Sequence, residues 1–109
     1  MILGSCLEDC VHVAGILNFF RVAEEVGYST KFLGPANSIS KIISQIKASR
    51  AKYIAISYRL TPNTGEKYVK NFISKVRKAG LDDRIYLFGG LPELITKIKK
   101  YGLFKGYFK

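Results

Sequence analysis

The chain predicts an α/β fold, a doubly wound sheet of five parallel strands with helices on both faces, in three layers. Short apolar runs alternate with amphipathic helical stretches along all 109 residues. The central run Tyr53-Ile54-Ala55-Ile56 is apolar without alternation, as a strand covered on both faces requires. Repeated strand-then-helix order favours right-handed crossovers and a parallel sheet over an antiparallel one.

Each element follows from its own pattern. Strand one is placed at about Ile2 to Cys6, a short buried run. Helix one, about His12 to Val26, carries Ile16, Leu17, Phe19, Phe20, Val22, Ala23 and Val26 at helical spacing. Strand two covers about Ser29 to Leu33, and helix two about Ser38 to Ser49 puts Ile39, Ile42, Ile43 and Ile46 on one face. Strand three is Lys52 to Ser57. Helix three runs from about Thr64 to Ala79 and stops at Gly80, which suits a left-handed cap. Strand four is Arg84 to Phe88, and helix four spans Pro92 to Tyr101 with its proline in the first turn. Strand five is Lys105 to Phe108. The whole is a flavodoxin-like or Rossmann-like arrangement in one domain, residues 1–109.

Composition narrows the function classes. A hydrophobic content of 48% and a mean hydropathy of +0.07 suffice for one core. No apolar run reaches membrane-spanning length, and no charged start with a hydrophobic stretch and cleavage site precedes strand one, so the expected compartment is the cytoplasm, with no membrane partner. The net charge of +10 raises nucleic acid as a partner. Its distribution argues otherwise: Lys67, Lys70, Lys75, Arg77 and Lys78, then Lys97, Lys99 and Lys100, alternate with apolar residues as solvent-facing positions do, with no nucleic-acid-binding motif beside them. An acidic partner protein, or solubility, explains the charge. Cys6 and Cys10 match neither a redox nor a zinc motif and are expected to be reduced thiols.

A doubly wound sheet binds ligands at the carboxyl ends of its strands. Those loops are Leu7 to Val11, Gly34 to Asn37, Ser57 to Asn63 and Gly89 to Leu91, and they hold the conspicuous residues. His12 is the only histidine, and it stands where strand one hands over to helix one, with Gly15 three residues on. Glycines after strands two and four permit close backbone approach to a large flat ligand, and hydroxyls at Ser57 and Thr61 can bond its rim. Other ligand classes of this architecture fit worse. A phosphoacceptor domain needs an aspartate where Ser57 stands. A flavin phosphate loop is at odds with the carboxylates of Leu7-Glu8-Asp9. No hydrolytic triad can be assembled.

In these loops the chain resembles the cobalamin (vitamin B12)-binding domain of corrinoid-dependent methyltransferases and mutases. The family pattern is Asp-x-His-x-x-Gly after strand one, Ser-x-Leu after strand three and Gly-Gly after strand four. His12-Val13-Ala14-Gly15, Ser57 and Phe88-Gly89-Gly90 match in order, and Leu60-Thr61-Pro62 looks like the methyltransferase branch. The resemblance implies a cofactor, cobalamin as methylcobalamin or adenosylcobalamin, with His12 as the lower axial ligand of its cobalt. It implies a slot for the cofactor's nucleotide tail between strand one, helix one, Ser57 and Gly89-Gly90. Gly34 would approach the corrin edge and Thr61 a peripheral amide. It also implies a module that presents the cofactor to a partner catalytic or reactivating protein, for methyl transfer, rather than an autonomous enzyme. Three positions depart from the pattern, one of them Asn63, which follows Pro62 where methyltransferases often have Ser. Cys10 stands where the family keeps the Asp that holds the histidine's other nitrogen, and Arg59 stands where it keeps Leu.

The same residues admit plainer roles. A histidine near a helix start can cap or pack. Ser57, Thr61 and Asn63 can form a turn and cap helix three, Gly89-Gly90 can be a tight turn, and Cys10 can be a small buried hydrophobe. The competing function is a relative of the same fold that has lost the cofactor and serves as a protein-interaction module.

Overall fold

A computed structural model describes residues 1–108. The order is β1 (Ile2–Cys6), α1 (Ala14–Glu25), β2 (Thr30–Phe32), α2 (Ile39–Ala48), β3 (Tyr53–Tyr58), α3 (Pro62–Lys78), β4 (Ile85–Gly90), α4 (Pro92–Ile98), a single 3₁₀ turn (Lys99–Tyr101) and β5 (Phe104–Phe108). All strands are parallel, in the spatial order β2-β1-β3-β4-β5. This is the predicted doubly wound sheet in its flavodoxin-like order, whose chain reversal lies between β1 and β3.

Strand alternation sorts the sheet into two faces. Gly4 lies against Phe20 and Ile16 of α1, so Gly4 and its register partner Ala55 face that helix. Two residues further along, Cys6, Ser57, Gly89 and Phe108 form a row across β1, β3, β4 and β5 on the same face. The opposite face carries Leu3, Ile54, Ile56, Tyr58, Tyr86, Phe88 and Phe104, nearly all fully buried. Tyr58 packs on Gly65 of α3, and Phe72 of α3 stacks on Phe104. The isoleucines of α2 predicted to share one face are all buried.

Element boundaries shift for identifiable reasons. His12 precedes α1 rather than opening it, because Val13 supplies the first carbonyl, to Leu17. Helix three starts two residues early, as Pro62 suits a first-turn position. Helix four is shorter than predicted: its end tightens into the 3₁₀ turn and closes at left-handed Gly102 (φ 78°). The largest correction concerns β3 and β4. Each runs on in register through Ser57-Tyr58 and Gly89-Gly90, so these residues are strand rather than loop.

Candidate functional site at the carboxyl edge of the sheet

The β1–α1 connection is fastened to its neighbour. Leu7 is buried and pairs with Asn37 in an isolated bridge, and the Glu8 amide donates to the Asn37 carbonyl at 2.7 Å. Glu8 is in the left-handed region (φ 54°), and its Oε2 accepts from the Ile39 amide at 3.1 Å, at the start of α2. A carboxylate there is favoured by the helix dipole. The Ala36 amide closes the other side, bonding the Cys10 carbonyl at 2.9 Å.

Asn37 organises this corner. It is 5% exposed, and its Nδ2 donates to Ser5 Oγ at 3.0 Å and to the carbonyls of Gly34 at 3.0 Å and Leu33 at 3.1 Å. Gly34 itself has φ 106°, which a side chain would strain, and its carbonyl accepts from the Cys6 amide. Sequence reasoning missed both Asn37 and the bracing role of Glu8. An Asn four residues after a strand, just before a Ser N-cap, was the available signal.

His12 is exposed at the open edge, and Gly15 sits half-buried in the first turn of α1. Behind His12, Cys6 and Cys10 are both fully buried and free. The Cys6 Sγ donates to the His12 carbonyl at 3.7 Å, and the neighbouring Cys10 sulfur together with burial raises this thiol well above the ordinary value. Cys10 is drawn the other way, below the ordinary value, chiefly by the Cys6 sulfur, with the His12 and Arg59 backbone and the His12 side chain acting in the same direction. Position 10, which the sequence marks as a weak partner for His12, is thus biased toward its thiolate form.

The consequence is testable. A thiol whose folded value lies below its unfolded one stabilises the fold above the unfolded value, and that contribution disappears as pH falls through the folded value. Cys6, shifted upward, removes stability above the ordinary thiol value of about 8.5. Stability should therefore rise from mildly acidic pH toward that value and then fall. Ultraviolet thiolate absorbance should show one thiolate per chain at neutral pH, absent in Cys10→Ser. Thiolate signal appearing only above the ordinary thiol range would contradict the lowering at Cys10.

The strand-three residues fall into two groups. Ser57 is fully buried, and its Oγ has no hydrogen-bond partner. A buried hydroxyl without a partner costs about 1–3 kcal/mol, so the fold alone does not account for it. Thr61 occupies the N-cap of α3, yet its side chain makes no cap bond; only its carbonyl acts, accepting from Gly65 at 2.8 Å. Helix capping therefore explains neither hydroxyl. Thr61 is exposed and Leu60 half-buried. Arg59, noted in the sequence only as a departure, buries Nε and Nη2 without partners. It lines a cavity of about 490 Å³ with Gly90, Leu91, Ile95, Tyr107 and Phe108.

The two glycines of β4 part company. Gly90 faces the α3 side, where an added Cβ would press on Phe88 and the Tyr58 carbonyl. The two glycines therefore cannot line one slot together as predicted, because successive strand residues point to opposite faces. Gly89 belongs to the row with Cys6 and Ser57, and an added Cβ there would fall within the ring of Phe108. That ring stacks on Phe19 of α1, centroids 4.6 Å apart and planes 12° apart. The volume between α1 and the end of β4 is filled by the protein's own aromatics. A separate apolar groove of about 270 Å³, between Ile2, Val22, Val26, Tyr28, Tyr53 and Leu87, lies at the opposite, amino-terminal end of the strands.

Among the described residues no three His, Cys, Asp or Glu side chains group as a metal site, and no helix is long and apolar enough to cross a membrane. No family model and no curated protein matches the chain. Solved structures do. A cobalamin-binding protein from Desulfitobacterium hafniense DCB-2 superposes with a TM-score of 0.81 at 21% identity, covering 97% of this chain and 51% of that one. The Methanosarcina barkeri monomethylamine corrinoid protein superposes with a TM-score of 0.76 at 14% identity, covering 97% of this chain and 50% of its own. The chain therefore spans about half the length of each, and shares the fold of these cobalamin- and corrinoid-binding proteins.

Proposed function

We propose that this chain is a corrinoid-binding module that takes the cofactor on the carboxyl edge of its sheet, with His12 as lower axial ligand, and presents it to a partner catalytic or reactivating protein. The observation that supports the reading is the combination of an exposed His12 just before α1 with the orphaned hydroxyl of Ser57 on the sheet face that α1 covers. A corrin macrocycle supplies four of cobalt's ligands, so one imidazole completes the protein's share, and nitrogen of this softness suits the metal. When bound, the cobalt would supply the site for carrying a methyl or other alkyl group, as in the methyltransferase branch that Leu60-Thr61-Pro62 resembles; adenosylcobalamin is the form for the mutase branch.

The chain's own residues divide the work. His12 would hold the cobalt, and the Cys10 sulfur, which the His12 side chain helps draw toward its thiolate form, would accept from the ring, fix its orientation and strengthen the imidazole as a donor. Ser57 would offer its unpartnered hydroxyl to a ligand, Thr61 would offer its exposed hydroxyl at the edge, and Gly34 would leave room for close approach. The lysines and arginine along α3, exposed at Lys67, Lys70, Lys75, Arg77 and Lys78, suit an acidic partner in the cytoplasm.

One observation favours a second reading, a relative that no longer binds a cofactor and only docks a partner. The place where a nucleotide tail would thread beside Gly89 is filled by Phe108. Mixing the protein with hydroxocobalamin and, separately, with aquocobinamide at concentrations well above micromolar, followed by gel filtration, decides between them. Coloured protein with a histidine-on visible spectrum is expected for at least one corrinoid. Colourless protein with both would leave the interaction module.

A further inference from the structure

The slot beside Gly89 has a specific occupant. Phe108 reaches it from β5 as the direct register partner of Gly89, and lies nearly parallel to Phe19 on the helix that would form the slot's other wall. A flat aromatic ring thus already stands, stacked and half-buried, between α1 and β4. Gly89 is what lets it stand there. A nucleotide base entering this space must first expel Phe108 and forfeit the stack, a contact worth about a factor of ten when lost. Nothing comparable covers the edge itself, where His12 and Thr61 are exposed.

Arg59 adds a second, independent observation. Its Nε and Nη2 are buried without an acceptor, in the same cavity wall as Phe108. Buried guanidinium nitrogens without acceptors are costly, and a ligand lying across this edge meets the need if its periphery carries amide or carboxylate oxygens. A corrin ring carries such oxygens around its rim, whether or not a tail hangs below it.

We infer that the site, if it takes a corrinoid as proposed above, selects one without the nucleotide tail: a corrin with amide-bearing side arms and a free lower face for His12, whose slot the protein closes with Phe108. The inference rests on the corrinoid reading and deepens it by naming the ligand's chemical class. In such a ligand no intramolecular base competes with His12, so the imidazole meets an open coordination position, and Phe108 need not move.

The test compares aquocobinamide with hydroxocobalamin by absorbance titration at fixed pH, for the wild-type chain and for Phe108→Ala. Aquocobinamide is expected to bind at least about tenfold more tightly than hydroxocobalamin to the wild type, an advantage of about 1.4 kcal/mol. Phe108→Ala should shrink that ratio toward unity by improving cobalamin and leaving cobinamide nearly unchanged. Equal or tighter binding of hydroxocobalamin by the wild type overturns the inference while leaving the corrinoid reading in place. Failure of both ligands to bind either variant removes the corrinoid reading, and the inference with it. The wild-type comparison needs no substitution, so it stands even if Phe108→Ala folds poorly.

Discussion

Gly89→Val is expected to lower the thermal midpoint steeply, and Phe108→Ala is expected to rescue it. The valine side chain would project from the β4 backbone into the ring of Phe108, which is pinned on its far side by Phe19. Overpacking of this kind costs about 1–3 kcal/mol, and losing the aromatic stack adds about 1 kcal/mol. A combined penalty near 3 kcal/mol corresponds to a fall of roughly 12–24 °C for a domain of this size. In the double variant the ring is gone, so valine meets space. The pair should therefore be less destabilised than the sum of the single variants by about 1–2 kcal/mol, the signature of residues in direct contact. Circular dichroism melts of the four proteins make the measurement. A Gly89→Val midpoint within a few degrees of wild type would show that the ring does not cover this glycine, and would reopen the slot to a nucleotide tail.

That contact also shows where sequence reasoning stopped. Patterns of one and two residue types fixed the sheet: the apolar run of β3, the isoleucine stripe of α2 and the glycine stop after α3 all correspond to structure. The edge that gathers the candidate residues was legible too, because β1, β3 and β4 must end on one side of a parallel sheet. What could not be read was the third dimension of that edge. Successive residues of a strand point to opposite faces. A pair such as Gly89-Gly90 reads as one motif, yet once β4 is found to extend through it, only one member can face α1. The stacking of Phe108 on Phe19 joins residues far apart in the chain, and no local pattern announces it. Cys10 shows another limit of local pattern: a thiol reads as a poor acceptor beside an imidazole, and what draws it toward its thiolate form is a second buried sulfur, Cys6, that the fold brings alongside.

His12→Ala should separate ligand from scaffold. The side chain is exposed and caps no helix, so truncation is expected to cost no more than about 1 kcal/mol. The effect on corrinoid binding should be far larger. A metal ligand matters more than the group that orients it, and orienting groups alone change affinity by about 10–100-fold. Aquocobinamide affinity should therefore fall beyond about 100-fold in His12→Ala, with complete loss of the histidine-on spectrum. Added imidazole should restore that spectrum, since the cavity left by the side chain opens to solvent. Cys10→Ser should give a smaller loss, about tenfold, and Cys10→Asp should recover it by placing a carboxylate where the sulfur accepts. The ordering is the argument. If His12→Ala binds corrinoid with wild-type affinity and spectrum, the imidazole is not a cobalt ligand, and Cys10 loses its proposed purpose with it. If His12→Ala instead collapses the thermal midpoint, the histidine is a packing residue of the β1–α1 turn and the exposed edge must be assigned another ligand.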